Sequence, residues 1–336
     1  MRIKLFITII FAFFASAALA QNSKNDLIAF SSDATKENKQ QIFIMDSKGE
    51  GVMQVAHVKG LDCYAPRFSP DGRKIVFNAT DIISDYIYMV DLDDSSTFNF
   101  PKFIDGGTNP WFSPDGAYLL YRSEKNDDNA IFIMDLSTDS SVAISDGSLS
   151  THAKFSSDGN KVIYSSSANE NFDLVVLNMN DTTDNAQKTI AATKDAELYG
   201  TFSPDDKRIA YSSFDINYKG AVHVCNADGK SNKTVTSGGS AYNPKFSPDG
   251  NHLAFVWDKS GNYEVYICNS DGSGVKQLTS KKGNTMEFDW SADSKRIVYE
   301  AISDDVSSIS VVDIDSGKKD DLTGDKANNI NPAFQK

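Results

Sequence analysis

One phrase recurs along this chain at an almost fixed interval. It reads Phe68-Ser69-Pro70-Asp71-Gly72, then Phe112-Ser113-Pro114-Asp115-Gly116, then Phe246-Ser247-Pro248-Asp249-Gly250. Altered copies begin at Phe155 (FSSDG), Phe202 (FSPDD) and Trp290 (WSADS), and Phe334 in "NPAFQK" is a seventh aromatic at the same interval. The spacings are 44, 43, 47, 44, 44 and 44 residues. A period of this length is the mark of a repeat architecture, in the range of a four-stranded propeller blade.

Each unit divides the same way. A short strand ends at the aromatic. Ser-Pro-Asp-Gly then reverses the chain, with Pro presetting φ and Gly tolerating the last turn position. A second strand follows ("KIVF", "YLLY", "HLAF"), then a polar loop, then a third strand ("YIYMVD", "IFIMD", "VYICN"). The third strand ends on Asp or Asn, which opens another turn, and a fourth strand is visible in "KTVTS" and "KQLTS". No segment beyond the first twenty residues shows a helical period, so the chain reads as all-β. Residues 27–58 supply a second, third and fourth strand without an innermost one, and "NINPAF" at the other end supplies it. The expected fold is therefore a seven-bladed β-propeller of four-stranded antiparallel blades. Six blades is the alternative. The ring closes by pairing the C-terminal strand with the N-terminal blade, which removes exposed edges.

"NPKFSPDGNHLAF" followed by "VYICNSDGSGVKQLTS" resembles the WD40-like (PD40) repeat of the periplasmic TolB propellers, over nearly the whole chain after the first twenty residues. TolB proper carries an α/β domain before its propeller and usually six blades. Here only Gln21–Asp26 precede the first strand, and seven units are counted. The resemblance implies a TolB-like propeller domain over residues 21–336, acting in the cell envelope.

The first residues read as an export leader. Arg2 and Lys4 precede an apolar run from Leu5 to Phe14, and Ala18-Leu19-Ala20 fits an A-x-A cleavage pattern. The run is too short for a membrane span. Residues 1–20 are thus expected to be a signal peptide cleaved after Ala20, with the mature chain periplasmic; secretion is the alternative. The leader carries two of the 33 basic residues and none of the 46 acidic ones, so the net charge moves from −13 to −15 on cleavage. That charge repels phosphate backbones and argues against nucleic acid. Three cysteines are too few for a disulfide framework.

What recurs in every unit serves the unit, so the FSPDG turns are read as structural. The variable loops lie on the opposite face. There Tyr64, Trp111, His152, Tyr199, Tyr242 and Glu287 stand near the innermost strands, with Asn109, Asn243 and Asn331 from three "NPxF" sequences. Aromatic, amide and charged groups around a funnel suit a peptide or a glycan. No metal or other cofactor is expected. The acidic residues Asp81, Asp85, Asp127, Asp128, Asp304 and Asp305 read as a solvated rim, because hard-cation sites need oxygens converging on one point. His57, His152, His223 and His252 fall in different units, and no catalytic motif is present. The function expected is a non-catalytic scaffold for an envelope protein or peptide, as a monomer or within a larger complex. A carbohydrate-binding or lyase-like propeller is the alternative.

Overall fold

A computed structural model describes residues 26–81, 83–93, 102–124, 129–181, 183, 186–280 and 283–336. The expected leader, Asp127 and Asp128 lie outside these residues. Seven four-stranded antiparallel sheets follow one another along the chain. Blades 2 to 7 occupy residues 62–105, 107–143, 150–191, 196–234, 241–277 and 284–321. Blade 1 is composite. Its innermost strand is Asn329–Phe334, and Leu27–Ser32, Gln41–Asp46 and Met53–Ala56 complete it. Ile28 pairs with Phe334, and Ser32 with Asn329. Outside the strands, Asn328 and Asp33 exchange further hydrogen bonds, at 2.8 Å for the Asn328 amide and 3.0 Å for its side chain. The ring is closed as the sequence implied.

The second strand of each blade is the most buried, because it has neighbours on both sides and sheets on both faces. Phe30, Phe77, Tyr211, Phe255 and Tyr299 occupy one equivalent position and are buried. Successive blades pack through apolar layers, such as Phe77, Ile75 and Cys63 against Ile42 and Ile44. All three cysteines are buried and free.

The recurrent turn has one chemistry in six blades. The Ser hydroxyl donates to the Asp two residues on, at 2.5 to 2.6 Å in each copy. The last turn residue is left-handed, at φ 70° to 73° in the four Gly copies. A Cβ there would stand 3.6 Å from the preceding blade's Pro at Gly116 and Gly250, so the turns of neighbouring blades nearly touch.

That proximity explains the altered copies of the turn. Asp206 and Ser294 replace the turn Gly and keep its left-handed backbone, at φ 55° and 61°. Asp206 accepts hydrogen bonds from the Ser157 and Asp158 amides of blade 4, at 2.8 and 3.0 Å. Ser294 accepts one from the Asp249 amide at 2.9 Å. The Ser157 amide exists only because blade 4 has Ser where the other copies with a strict turn have Pro. FSSDG and FSPDD are thus two halves of one interblade contact. Either S157P or D206G alone is expected to lower the unfolding free energy by about 1 kcal/mol, whereas the double variant comes out near neutral. Urea unfolding of the four proteins measures the cycle; additive losses would separate the two substitutions.

Candidate functional site: a channel with two tiers

Every innermost strand slips register just before its anchor aromatic. The slips fall between Tyr64 and Arg67, Thr108 and Trp111, Thr151 and Lys154, Leu198 and Thr201, Tyr242 and Lys245, and Thr285 and Phe288. These are β-bulges, which re-aim a side chain at the rim of a sheet. The residue three before the anchor is left-handed in six blades: Ala65, Asn109, His152, Tyr199, Asn243 and Asn331, at φ 51° to 60°. Asn tolerates this conformation. His shares that tolerance, while Tyr and Ala adopt it at about 1–2 kcal/mol each. The Asn-Pro pairs of "NPxF" are therefore bulge residues. The sequence placed these Asn residues on the binding face without showing the bulge, because the signal lies in backbone conformation.

The bulges build the upper tier. The His152 and Tyr199 rings lie 4.1 Å apart, and Tyr199 and Tyr242 6.2 Å apart. Tyr263 meets Tyr242 edge-on at 5.5 Å. Three of the sequence candidates thus form one aromatic arc across blades 4, 5 and 6. Asn243 Nδ2 donates to Glu287 Oε2 at 3.2 Å, bringing a fourth and fifth beside it. Burial first, and then the Glu287 charge, push the Tyr199 and Tyr242 phenols above their ordinary range. Burial, followed by Lys154 and Arg122, pushes His152 down to about 4, so the ring is neutral at pH 7. Its Nδ1 is buried and has no hydrogen-bond partner among the described residues.

The remaining candidates stand apart. Asn331 receives the Ala65 amide at 3.3 Å on its Oδ1, and its own amide donates to Glu300 at 3.1 Å. Asn109 is exposed, and its amide donates to Asn78 Oδ1 at 3.0 Å. Tyr64 is half-buried. Trp111 belongs to a lower tier.

That tier is formed by the residues one before the anchors: Arg67, Trp111, Lys154, Thr201, Lys245, Asp289 and Ala333. Arg67 lies over the Trp111 ring with its guanidinium carbon 4.0 Å from the ring centre, and Lys154 Nζ stands 5.3 Å from it. Lys245 pairs with Glu287 at 3.6 Å, and Lys336 with Asp289 at 3.1 Å. A cavity of about 380 Å³ opens below, lined by Arg67, Trp111, Asp289, Lys336, five of the seven anchor rings and the turns of blades 2 to 4. It lies on the FSPDG face, so those turns contribute walls as well as reversals. Reading single loops missed the charged tier, since its members are more than forty residues apart; aligning the units by anchor would have exposed a column of charges.

The other expected features separate. Asp81 caps its own loop, accepting from the Ile83 and Ser84 amides at 2.7 and 2.8 Å. His223 stacks on Tyr211 at 4.9 Å. Among the described residues no three His, Cys, Asp or Glu side chains gather as a metal-holding group. Trp257 and Asp258 pin the segment between blades 5 and 6. The indole donates to the Gly238 carbonyl at 2.8 Å, and the carboxylate accepts from the Ser240 amide.

Seven closed four-stranded blades around a lined channel define a β-propeller. The TolB β-propeller domain matches the chain twice, over residues 21–197 and 176–336. The chain belongs to that family. No curated protein sequence matches it. Among solved structures it is similar to TolB from Acinetobacter baumannii, with 19% identity over 98% of this chain and 71% of that one and a TM-score of 0.61. It is also similar to an oligogalacturonate lyase in complex with manganese, with 16% identity over 89% and 85% of the two chains and a TM-score of 0.62. A prolyl endopeptidase gives 15% identity over 96% of this chain and 55% of that one, with a TM-score of 0.66. Likeness at these identities establishes the fold.

Proposed function

We propose that this chain is a non-catalytic binding module of the cell envelope, exported by residues 1–20, that holds a segment of a partner protein at the aromatic arc of its upper tier. The carrying observation is the column of bulge residues. Three blades place Asn at the left-handed position, the residue that tolerates it. Blades 4 and 5 place the rings of His152 and Tyr199 there instead, and Tyr199 does so against conformational preference. A strained backbone carrying a ring into a channel is a reason to look for function at that ring. Tyr199, Tyr242 and His152 supply rigid apolar area, while the Glu287 carboxylate supplies polar recognition. Family membership supports the envelope and a protein partner.

A photo-crosslinker placed at Tyr242 in the native envelope tests this. One specific protein adduct is expected, reduced at least about tenfold in a Y199N background. Y199N is expected to fold, because the left-handed position suits Asn and offsets part of the ring packing lost. Adducts only from a probe at Asp115, on the opposite face, would show that the partner uses the other side. Binding to a glycan array with no protein adduct would replace the protein partner with a carbohydrate.

A further inference from the structure

The lower tier inverts the charge of the molecule. The chain has a net charge of −13, yet its channel gathers Arg67, Lys154, Lys245 and Lys336 around two carboxylates, Glu287 and Asp289. Both carboxylates are already engaged. Glu287 is held by Lys245 and Asn243, and Asp289 by Lys336 and the Phe334 amide. Arg67 and Lys154 remain. Neither makes a hydrogen bond or ion pair among the described residues, and the Trp111 ring is what both rest against. Burial and the neighbouring Lys245 and Arg67, only partly opposed by Glu287, push Lys154 down to about 7, so its positive charge is under-compensated where it stands. Enclosed charges are ordinarily paired. An Arg fork without an acceptor matches a carboxylate or another planar anion.

The cavity beneath Arg67 indicates what carries that anion. Its apolar walls are Phe68, Phe112, Phe155, Phe202 and Phe334 with Pro70 and Pro114; the turn serines and the paired Asp289 and Lys336 also line it. At about 380 Å³ it is at the small end of the range of ligand pockets, with room for the end of a peptide chain and its last side chain. We infer that the FSPDG end of the channel binds the C-terminal carboxylate of a peptide chain whose last residue is apolar, with Arg67 gripping the carboxylate, Lys154 adding charge, and the anchor rings receiving the side chain. This site is distinct from the aromatic arc and stands without it. A channel with recognition at both ends accommodates a tail at one mouth and a partner surface at the other.

The test compares acetyl-Gly-Gly-Phe with its C-terminal amide, titrated calorimetrically into the full chain. The two probes share shape and apolar area and differ in the charge that Arg67 would hold. The acid is expected to bind at least about thirtyfold more tightly than the amide, about 2 kcal/mol. R67Q should abolish that difference, and K154M should reduce it by about tenfold. Equal binding of acid and amide, no binding of the acid at millimolar concentration, or an R67Q variant that binds the acid as the parent does would each overturn the assignment. R67K retains charge without the fork and is expected to fall between parent and R67Q; the acid-to-amide comparison on the parent protein holds whether or not a variant folds. Y199N should leave acid binding unchanged, which separates failure of this site from failure of the aromatic arc.

Discussion

Deleting residues 329–336 is expected to abolish cooperative thermal unfolding. Those residues are the innermost strand of blade 1 and the tail that locks it. Their loss removes the buried Phe334, Ala333 and Asn329, exposes the whole edge of Leu27–Ser32, and breaks the hydrogen bonds of Gln335 to Leu27 at 2.8 Å and to Gly72 at 3.0 Å. Burying Phe334 alone is worth about 2–3 kcal/mol. The ladder and the packing of blades 7 and 2 against this strand add to it, against a total stability of about 5–15 kcal/mol for a typical domain. Circular dichroism during heating should show a broad, non-cooperative change and bound hydrophobic dye. Adding the synthetic peptide Asn-Ile-Asn-Pro-Ala-Phe-Gln-Lys in excess should restore a sharp transition. A truncated chain that melts within about two degrees of the parent would mean that closure contributes little.

The second large effect is a pH dependence centred on His152. Burial, Lys154 and Arg122 hold its pKa at about 4, against an ordinary value of 6.5. Between those values the unfolded chain binds a proton that the folded one does not, so unfolding is favoured as pH falls. His152 therefore lowers stability progressively from about pH 6.5 to pH 4 and has no further effect below. The parent protein should lose about 2–3 kcal/mol from this group between pH 7.5 and 4.5. H152N removes the titration and suits the left-handed backbone. The carboxylates titrate alike in both proteins, so the difference between their urea-derived stabilities isolates the imidazole. Parallel curves for the two proteins over this range would show that His152 is protonated as readily folded as unfolded.

The blade count and ring closure were legible because both follow from an aromatic that ends a strand, repeated at a constant interval. Phe68, Phe112 and Phe246 carry that information in their neighbours. The bulges were not legible in the same way. Asn109-Pro110 looks like a turn or a strand end, and nothing in the letters says that Asn109 is left-handed within a strand while its amide reaches Asn78 in the previous blade. His152, Tyr199 and Tyr242 were found one loop at a time, and the structure shows they touch. Arg67 and Lys154 went unread for the opposite reason. Each is an unremarkable charge beside an apolar anchor, and only the closed ring brings them to one tryptophan. The altered turns show the same limit. Ser157 and Asp206 look like independent losses of a Pro and a Gly until their blades are placed side by side.

The bulge column has one more consequence. A side chain in a regular strand is tied to its partners, so changing it disturbs the face on which it lies. At a bulge the ladder has already been interrupted, and the residue is released from that pairing. Ala65, Asn109, His152, Tyr199, Asn243 and Asn331 are thus six equivalent positions, each on its own blade, where the side chain varies while the backbone conformation is kept. New recognition can be written into the ring one letter at a time, without renegotiating the sheets that carry it.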